Sequence, residues 1–275
     1  MRLPYFDLLF ESLDKGNVAL DAAFGRHVHW GYWERPERAD LSPEDFARAA
    51  EALSQRVWRA ALLKDGMKVL DAGCGFGGTV ASLNENFQNM DLVGLNIDPR
   101  QITRARSKVT ARACNRVQFV EGDACRMPFE DVGFDAVLAV ECIFHFPDRG
   151  EFFSEARRVL KPGGVLAICD FVPKGFLRPF SASKASRRML DPLFGSCKMT
   201  HSLSDYRRLA ADSGFVSIWE EDIARHTIPT YPYLRKIQRD LTGKEDWNKF
   251  GTYAAEWVSR LNWMRYMILA FQKLD

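Results

Sequence analysis

At 275 residues, with 47% hydrophobic and 27% charged residues and a formal net charge of +2, the chain is long enough for one large core and lacks the basic excess of a nucleic-acid binder. No apolar run approaches the roughly 18–20 residues of a membrane span, and the N-terminal pattern, interrupted by Asp7, Glu11 and Asp14, is not that of a secretory signal. The cysteines (Cys74, Cys114, Cys125, Cys142, Cys169, Cys197) are scattered without a Cys-x-x-Cys pair, the usage of reduced thiols in a cytoplasmic protein.

Leu3 to Ala23 has the spacing of one amphipathic helix ending near Gly25. His27-Val-His-Trp-Gly-Tyr-Trp33 follows, and it reads either as an aromatic plug between the first helix and the core or as a lid. Its His-x-His pair has no carboxylate or thiol at ligand spacing, so no metal is expected. Ser42 and Pro43 open a helix that continues through Leu63. Short apolar runs at Met67 to Leu70, Asp91 to Ile97, Val117 to Val120, Phe134 to Val140 and Val165 to Phe171 then alternate with helical patterns at Thr79 to Phe87, Pro99 to Ala113 and Arg149 to Leu160. Such alternation predicts a doubly wound α/β sheet that binds ligands at the carboxyl ends of its strands.

The pattern changes after Phe171. Pro173 to Thr200 is rich in Phe, Pro, Ser and basic residues (Lys174, Arg178, Lys184, Arg187, Arg188, Lys198) and reads as an insertion. Ser204 to Ser213 resumes a helix and Phe215 to Ile223 a strand. Arg225 to Leu261 is mostly helical, with the aromatics Tyr231, Tyr233, Trp247, Phe250, Tyr253 and Trp257, and Trp263 to Leu274 reads as a last strand.

The most informative stretch is Val69-Leu-Asp-Ala-Gly-Cys-Gly-Phe-Gly-Gly78, a strand running into a glycine turn and then a helix. Glycines let a ligand approach the backbone and allow positive φ. Asp71 would repel a pyrophosphate but suits a cation, such as the amino group of an amino-acid-like ligand.

Asp71-Ala-Gly-Cys-Gly-Phe-Gly77 resembles motif I of the class I S-adenosylmethionine-dependent methyltransferases. The resemblance extends over roughly Trp30 to Pro173 and includes the turn Arg157-Arg-Val-Leu-Lys-Pro-Gly-Gly164. It implies a Rossmann-like seven-stranded sheet and a cofactor site for S-adenosyl-L-methionine that includes Asp71, Gly73 and Gly75. At the usual acidic ribose position stands Asn96, with Gln101 five residues on, as in the tocopherol-type and cyclopropane-synthase-type subgroups. These two are the expected ribose contacts, with Asp98 as the alternative. Asp123 is expected at the adenine amino group and Ala124 to offer its N–H to the ring. His-Trp-Gly-Tyr-Trp33 is similar to a stretch of the tocopherol and rebeccamycin-type sugar O-methyltransferases, which places Tyr32 over the methionyl end. After the fourth strand, Glu141-Cys-Ile-Phe-His145 puts His145 at the general-base position of the sugar O-methyltransferases, with Phe144 where those carry a first histidine, and Asp170 at an assisting position.

The organisation expected is a helical lid over 1–63, a core over 64–223 and 263–275, and substrate-cap insertions over 174–200 and 224–262. The expected reaction is methyl transfer to a small-molecule acceptor, a natural-product hydroxyl with His145 as base. The alternatives are C-methylation of a prenyl diphosphate with Glu141 as base, and a non-catalytic cofactor-binding partner subunit. Nucleic acid is not an expected partner, since no Asn-Pro-Pro-Tyr-like motif follows the fourth strand. A homo-oligomer is left open.

Overall fold

The computed structural model describes residues 3–112, 114–177, 179, 183, 197–242 and 249–275. Seven strands form one sheet in the order β3-β2-β1-β4-β5-β7-β6. They are β1 (Lys68–Ala72), β2 (Asp91–Asn96), β3 (Arg116–Glu121), β4 (Phe134–Val140), β5 (Leu160–Pro173), β6 (Phe215–Asp222) and β7 (Met264–Lys273). Strands β1 to β5 pair in parallel, and β7 runs antiparallel to β5 and β6.

The central strands are apolar at nearly every position because helices cover both faces. Successive residues of β4 go to opposite cores: Ala136 and Leu138 join the cluster containing Leu53, Val57 and Ile268, whereas Val137 and Ala139 join Leu70, Phe152 and Leu269. Because β1 lies between β2 and β4, strand order reverses beside it, and a crevice opens at the carboxyl ends of these strands.

Several boundaries differ from the sequence reading. The first helix is two, α1 (Pro4–Asp14) and α2 (Val18–Phe24), because Gly16 takes φ +74° and Asn17 caps α2 by accepting from Leu20 N–H at 3.0 Å. The helix after it, α3, spans Pro43–Ala60. Helices α4 (Gly78–Asn86), α5 (Pro99–Lys108) and α6 (Arg149–Val159) link the parallel strands, and α5 stops five residues before the expected Ala113. Strand β5 starts at Leu160, which pairs with Phe134, and continues to Pro173 opposite Met264. The expected helical stretch from Arg225 is divided into Ala224–Thr227, Thr230–Thr242 and Lys249–Arg260. Arg178, Lys184, Arg187, Arg188 and Trp247 lie outside the described residues. Among the described residues no helix is long and apolar enough to cross a membrane.

The N-terminal helices fold back over the crevice. Phe6 and Phe10 pack on Phe76 of the glycine loop, and Arg100 and Arg104 of α5 reach Asp7 and Asp21 at 2.8 and 2.7 Å.

Candidate active site

Between α1 and the carboxyl ends of β1, β2 and β4 lies a cavity of about 260 Å³. Its wall brings together Asp71, Gly73, Gly75, Asn96, Gln101, Asp123, Ala124, Glu141 and His145, drawn from four separate stretches of the sequence. The β1–α4 loop holds Gly73, Gly75 and Gly77 at φ +83°, +54° and +82°. The two inner glycines serve different ends. A Cβ on Gly73 would lie 2.7 Å from Cys142 Sγ, so this position is closed by the protein itself. A Cβ on Gly75 would meet nothing nearer than Gln101 Oε1 at 4.0 Å, which leaves bare backbone open beside the cavity.

Asp71, the next-to-last residue of β1, has a buried side chain, and neither carboxylate oxygen accepts a hydrogen bond. Burial pushes its carboxyl up to about 7. An unpartnered buried carboxyl in a cavity wall is costly unless a ligand supplies the counter-charge. A cationic group with N–H donors fits it.

At the end of β2, Asn96 Nδ2 donates to Gln101 Oε1 at 3.1 Å, and its Oδ1 accepts from Asp98 N–H at 2.9 Å. The pair thus forms one buried polar unit on the cavity wall. Asp98 is occupied otherwise, capping α5 through Arg100 N–H and pairing with the Arg100 guanidinium at 2.7 Å. Asp123 accepts from Cys125 N–H at 2.8 Å, and that turn carries Ala124 to the cavity.

Glu141, directly after β4, takes φ +52°, a conformation that costs a non-glycine residue free energy and marks sites where geometry is imposed. Its Oε2 accepts from Trp30 N–H at 2.9 Å and from the Tyr266 hydroxyl. Burial outweighs both bonds and lifts the carboxyl to about 8. His145 follows in the 3₁₀ turn Ile143–His145, with Nε2 3.4 Å from the Tyr5 hydroxyl and Nδ1 3.7 Å from Cys197 Sγ. Trp30, Phe171, Tyr231 and Tyr266 pack edge-to-face or stacked around this end, with Trp30 4.6 Å from Tyr231 and 4.8 Å from Phe171.

Two expected site residues lie elsewhere. Tyr32 is not on the cavity wall. It stacks on His226 at 4.7 Å under the Arg56 guanidinium, since the residues of this irregular segment turn to different sides. The tyrosine that reaches the cavity is Tyr5 of α1, one of many apolar-face residues of that helix and without any sequence signal of its own. Asp170 is also off the wall, wholly buried, and bound by Arg149 Nη2 at 2.9 Å and by the Tyr206 hydroxyl. Through these bonds it ties β5 to α6 and to helix Leu203–Asp212. His27 and His29, weighed from the sequence only as metal ligands, line the cavity, and His27 bonds Glu51 of the following helix, a partner that local spacing does not announce.

Comparison with known proteins bears on the family and the fold. A family model described as a methyltransferase domain matches residues 70–168. The chain is 32% identical over 225 residues to methyltransferase GfsG of Streptomyces halstedii, covering 80% of this chain and 76% of that protein. It is 32% identical over 215 residues to the 27-O-demethylrifamycin SV methyltransferase of Amycolatopsis mediterranei, covering 77% and 75%. Among solved structures, the geranyl diphosphate C-methyltransferase of Streptomyces coelicolor A3(2), in complex with S-adenosyl-L-homocysteine, superposes with a TM-score of 0.72 at 21% identity, over 97% of this chain and 98% of that one.

Proposed function

The chain belongs to the class I S-adenosylmethionine-dependent methyltransferases, and on that premise we propose that it methylates a hydroxyl of a small natural-product-like molecule, with His145 receiving the proton. S-adenosyl-L-methionine is the methyl donor, and the chemistry it supplies when bound is an electrophilic methyl group on sulfur. The residues fit that group. Asp71, with both oxygens unpartnered, would hold the cationic amino group, Gly75 would allow close backbone approach, and Asn96 and Gln101 would take the ribose hydroxyls. Asp123 and Ala124 would face the adenine edge.

The observation that carries the acceptor reading is the hydroxyl already beside His145. Tyr5 places a phenol oxygen 3.4 Å from Nε2 on the cavity wall, so a hydroxyl can approach this nitrogen from the cavity. Aligned there, an acceptor hydroxyl would lose its proton to His145 as its oxygen becomes nucleophilic, while the surrounding aromatics exclude water. The rifamycin relative supports this reading, since its name gives an O-demethylated natural product as substrate.

Glu141 favours a second reading. Its buried carboxyl, among Trp30, Phe171 and Tyr266, suits removal of a proton from a carbon centre, as C-methylation of an isoprenoid requires. We also propose that residues 1–63 act as lid and that residues 174–200 and 224–262 shape the acceptor side. Radiolabelled methyl transfer to hydroxyl, amine and prenyl diphosphate acceptors, with His145→Ala and Glu141→Gln in parallel, separates the readings.

A further inference from the structure

A track of hydrogen bonds runs from α3 to Glu141 through two histidines that the reaction above does not use. His27 and His29 are 3% and 8% exposed. His27 Nε2 lies 2.8 Å from Glu51 Oε2, His27 Nδ1 lies 3.1 Å from His29 Nε2, and His29 Nδ1 lies 2.8 Å from the Trp30 carbonyl oxygen. The same Trp30 donates its N–H to Glu141 Oε2 at 2.9 Å.

Both ends of the histidine track only accept, the carbonyl always and the Glu51 carboxylate when ionised. Three hydrogen bonds in series need three hydrogens, and two neutral imidazoles bring one each. With Glu51 ionised, the pair makes every bond only by holding one extra proton. When that proton leaves, one of the three bonds must be given up. The charged groups facing the pair are Glu51 and Arg26, which lie 3.1 Å apart, and Glu85 on α4; Asp71 lines the same cavity. Burial is the largest effect and opposes the extra proton, lowering His27 and bringing His29 down to about 3, and Arg26 acts the same way on His27. Glu51 and Glu85 favour the proton, as do the three bonds that only the protonated pair can make together.

We propose that Glu51, His27 and His29 are positioning residues that share one extra proton, hold the Trp30 carbonyl and so restrain the backbone on both sides of the Trp30 Cα, whose N–H, in the adjoining peptide plane, holds the carboxyl of Glu141. The consequence for catalysis rests on the reading that Glu141 faces the acceptor. An amide at Glu51 donates where the carboxylate accepts, so Glu51→Gln makes all the bonds with two neutral rings. His29→Leu cuts the track.

The test is NMR of the full chain with ¹⁵N-labelled histidine and ¹³C-labelled glutamate side chains, and it needs no acceptor. In the intact protein at pH 6, three of the four ring nitrogens of His27 and His29 are expected to carry protons. In Glu51→Gln two carry protons at pH 6 and Glu141 titrates as before. In His29→Leu the Glu141 midpoint rises by about half a unit or more, because the Trp30 N–H is no longer held in place. Two ring protons in the intact protein at pH 6, or an unmoved Glu141 midpoint in a folded His29→Leu variant, would overturn the proposal. If His29→Leu does not fold, the proton count in the intact protein and in Glu51→Gln decides. Full methyl transfer by Glu141→Gln would instead remove Glu141 from the acceptor reading and leave the track standing.

Discussion

Trp30 donates its backbone N–H to Glu141 Oε2 at 2.9 Å, joining the segment ahead of α3 to the carboxyl end of β4. One bond thus links the aromatic segment, the end of the central sheet and the carboxyl whose burial lifts it to about 8. Helix α1 closes the same region from the other side by bringing Tyr5 to His145.

If His145 receives the proton, His145→Ala lowers kcat by about 10²–10³-fold with a hydroxyl acceptor and leaves cofactor affinity within a few-fold. Glu141→Gln is expected to cost less with that acceptor. Steady-state kinetics of both variants, with S-adenosylhomocysteine binding measured alongside, checks the order. The reverse order would favour the carbon acceptor.

Tyr5→Phe removes the hydroxyl beside His145 but keeps the ring that covers the cavity, so it should alter the pH dependence of turnover more than cofactor affinity. Tyr32→Phe, on a tyrosine stacked between His226 and Arg56, should leave both unchanged. A pH–rate profile for each variant tests the contrast.

Asp170 and Arg149 form a buried pair in which Tyr206 also takes part. Removing one partner leaves a buried charge uncompensated, so Asp170→Ala is expected to destabilise the fold by about 3–5 kcal/mol, read as a lower midpoint in urea unfolding. Cofactor affinity at a temperature where the variant is folded should stay within a few-fold. A large loss of turnover without loss of stability would restore a catalytic role.

Much of the sheet was legible because buried parallel strands are short apolar runs, and β1, β2 and β4 are such runs. The glycine loop was legible for a related reason: Asp71, Gly73 and Gly75 are near neighbours in the chain, so local spacing carries their geometry. Asp170 was misplaced because nothing near it in the sequence announces Arg149 or Tyr206, which the sheet brings to it from 21 and 36 positions away. Trp30 is the core-packed aromatic that the plug reading expects, whereas Tyr32 lies off the cavity wall. Residues 26–35 are neither helix nor strand, so no periodicity says that Trp30 N–H faces Glu141 while Tyr32 faces Arg56. Tyr5 depends on where α1 docks, which rests on contacts such as Arg100 to Asp7 across 93 positions.

Asp71 is expected to weigh on the ligand-free fold. Folded Asp71 binds its proton more tightly than the unfolded chain does, so the burden is absent below about pH 4, grows as pH rises and is complete above about 7. At pH 8 it amounts to roughly 4 kcal/mol, and Asp71→Asn should recover much of it as a raised urea midpoint. The gain should shrink towards pH 4. Equal stability of both proteins at pH 8 would show that Asp71 is not an uncompensated buried charge.

The most direct test of the cofactor assignment is calorimetric titration of S-adenosylhomocysteine into the intact protein and into Asp71→Asn, at pH 6 and pH 8. Pairing of Asp71 with the cationic amino group predicts micromolar binding at pH 8, roughly tenfold weaker binding at pH 6 where the free carboxyl is protonated, and loss of binding in the variant. Equal affinity of the intact protein and Asp71→Asn at both pH values would contradict it.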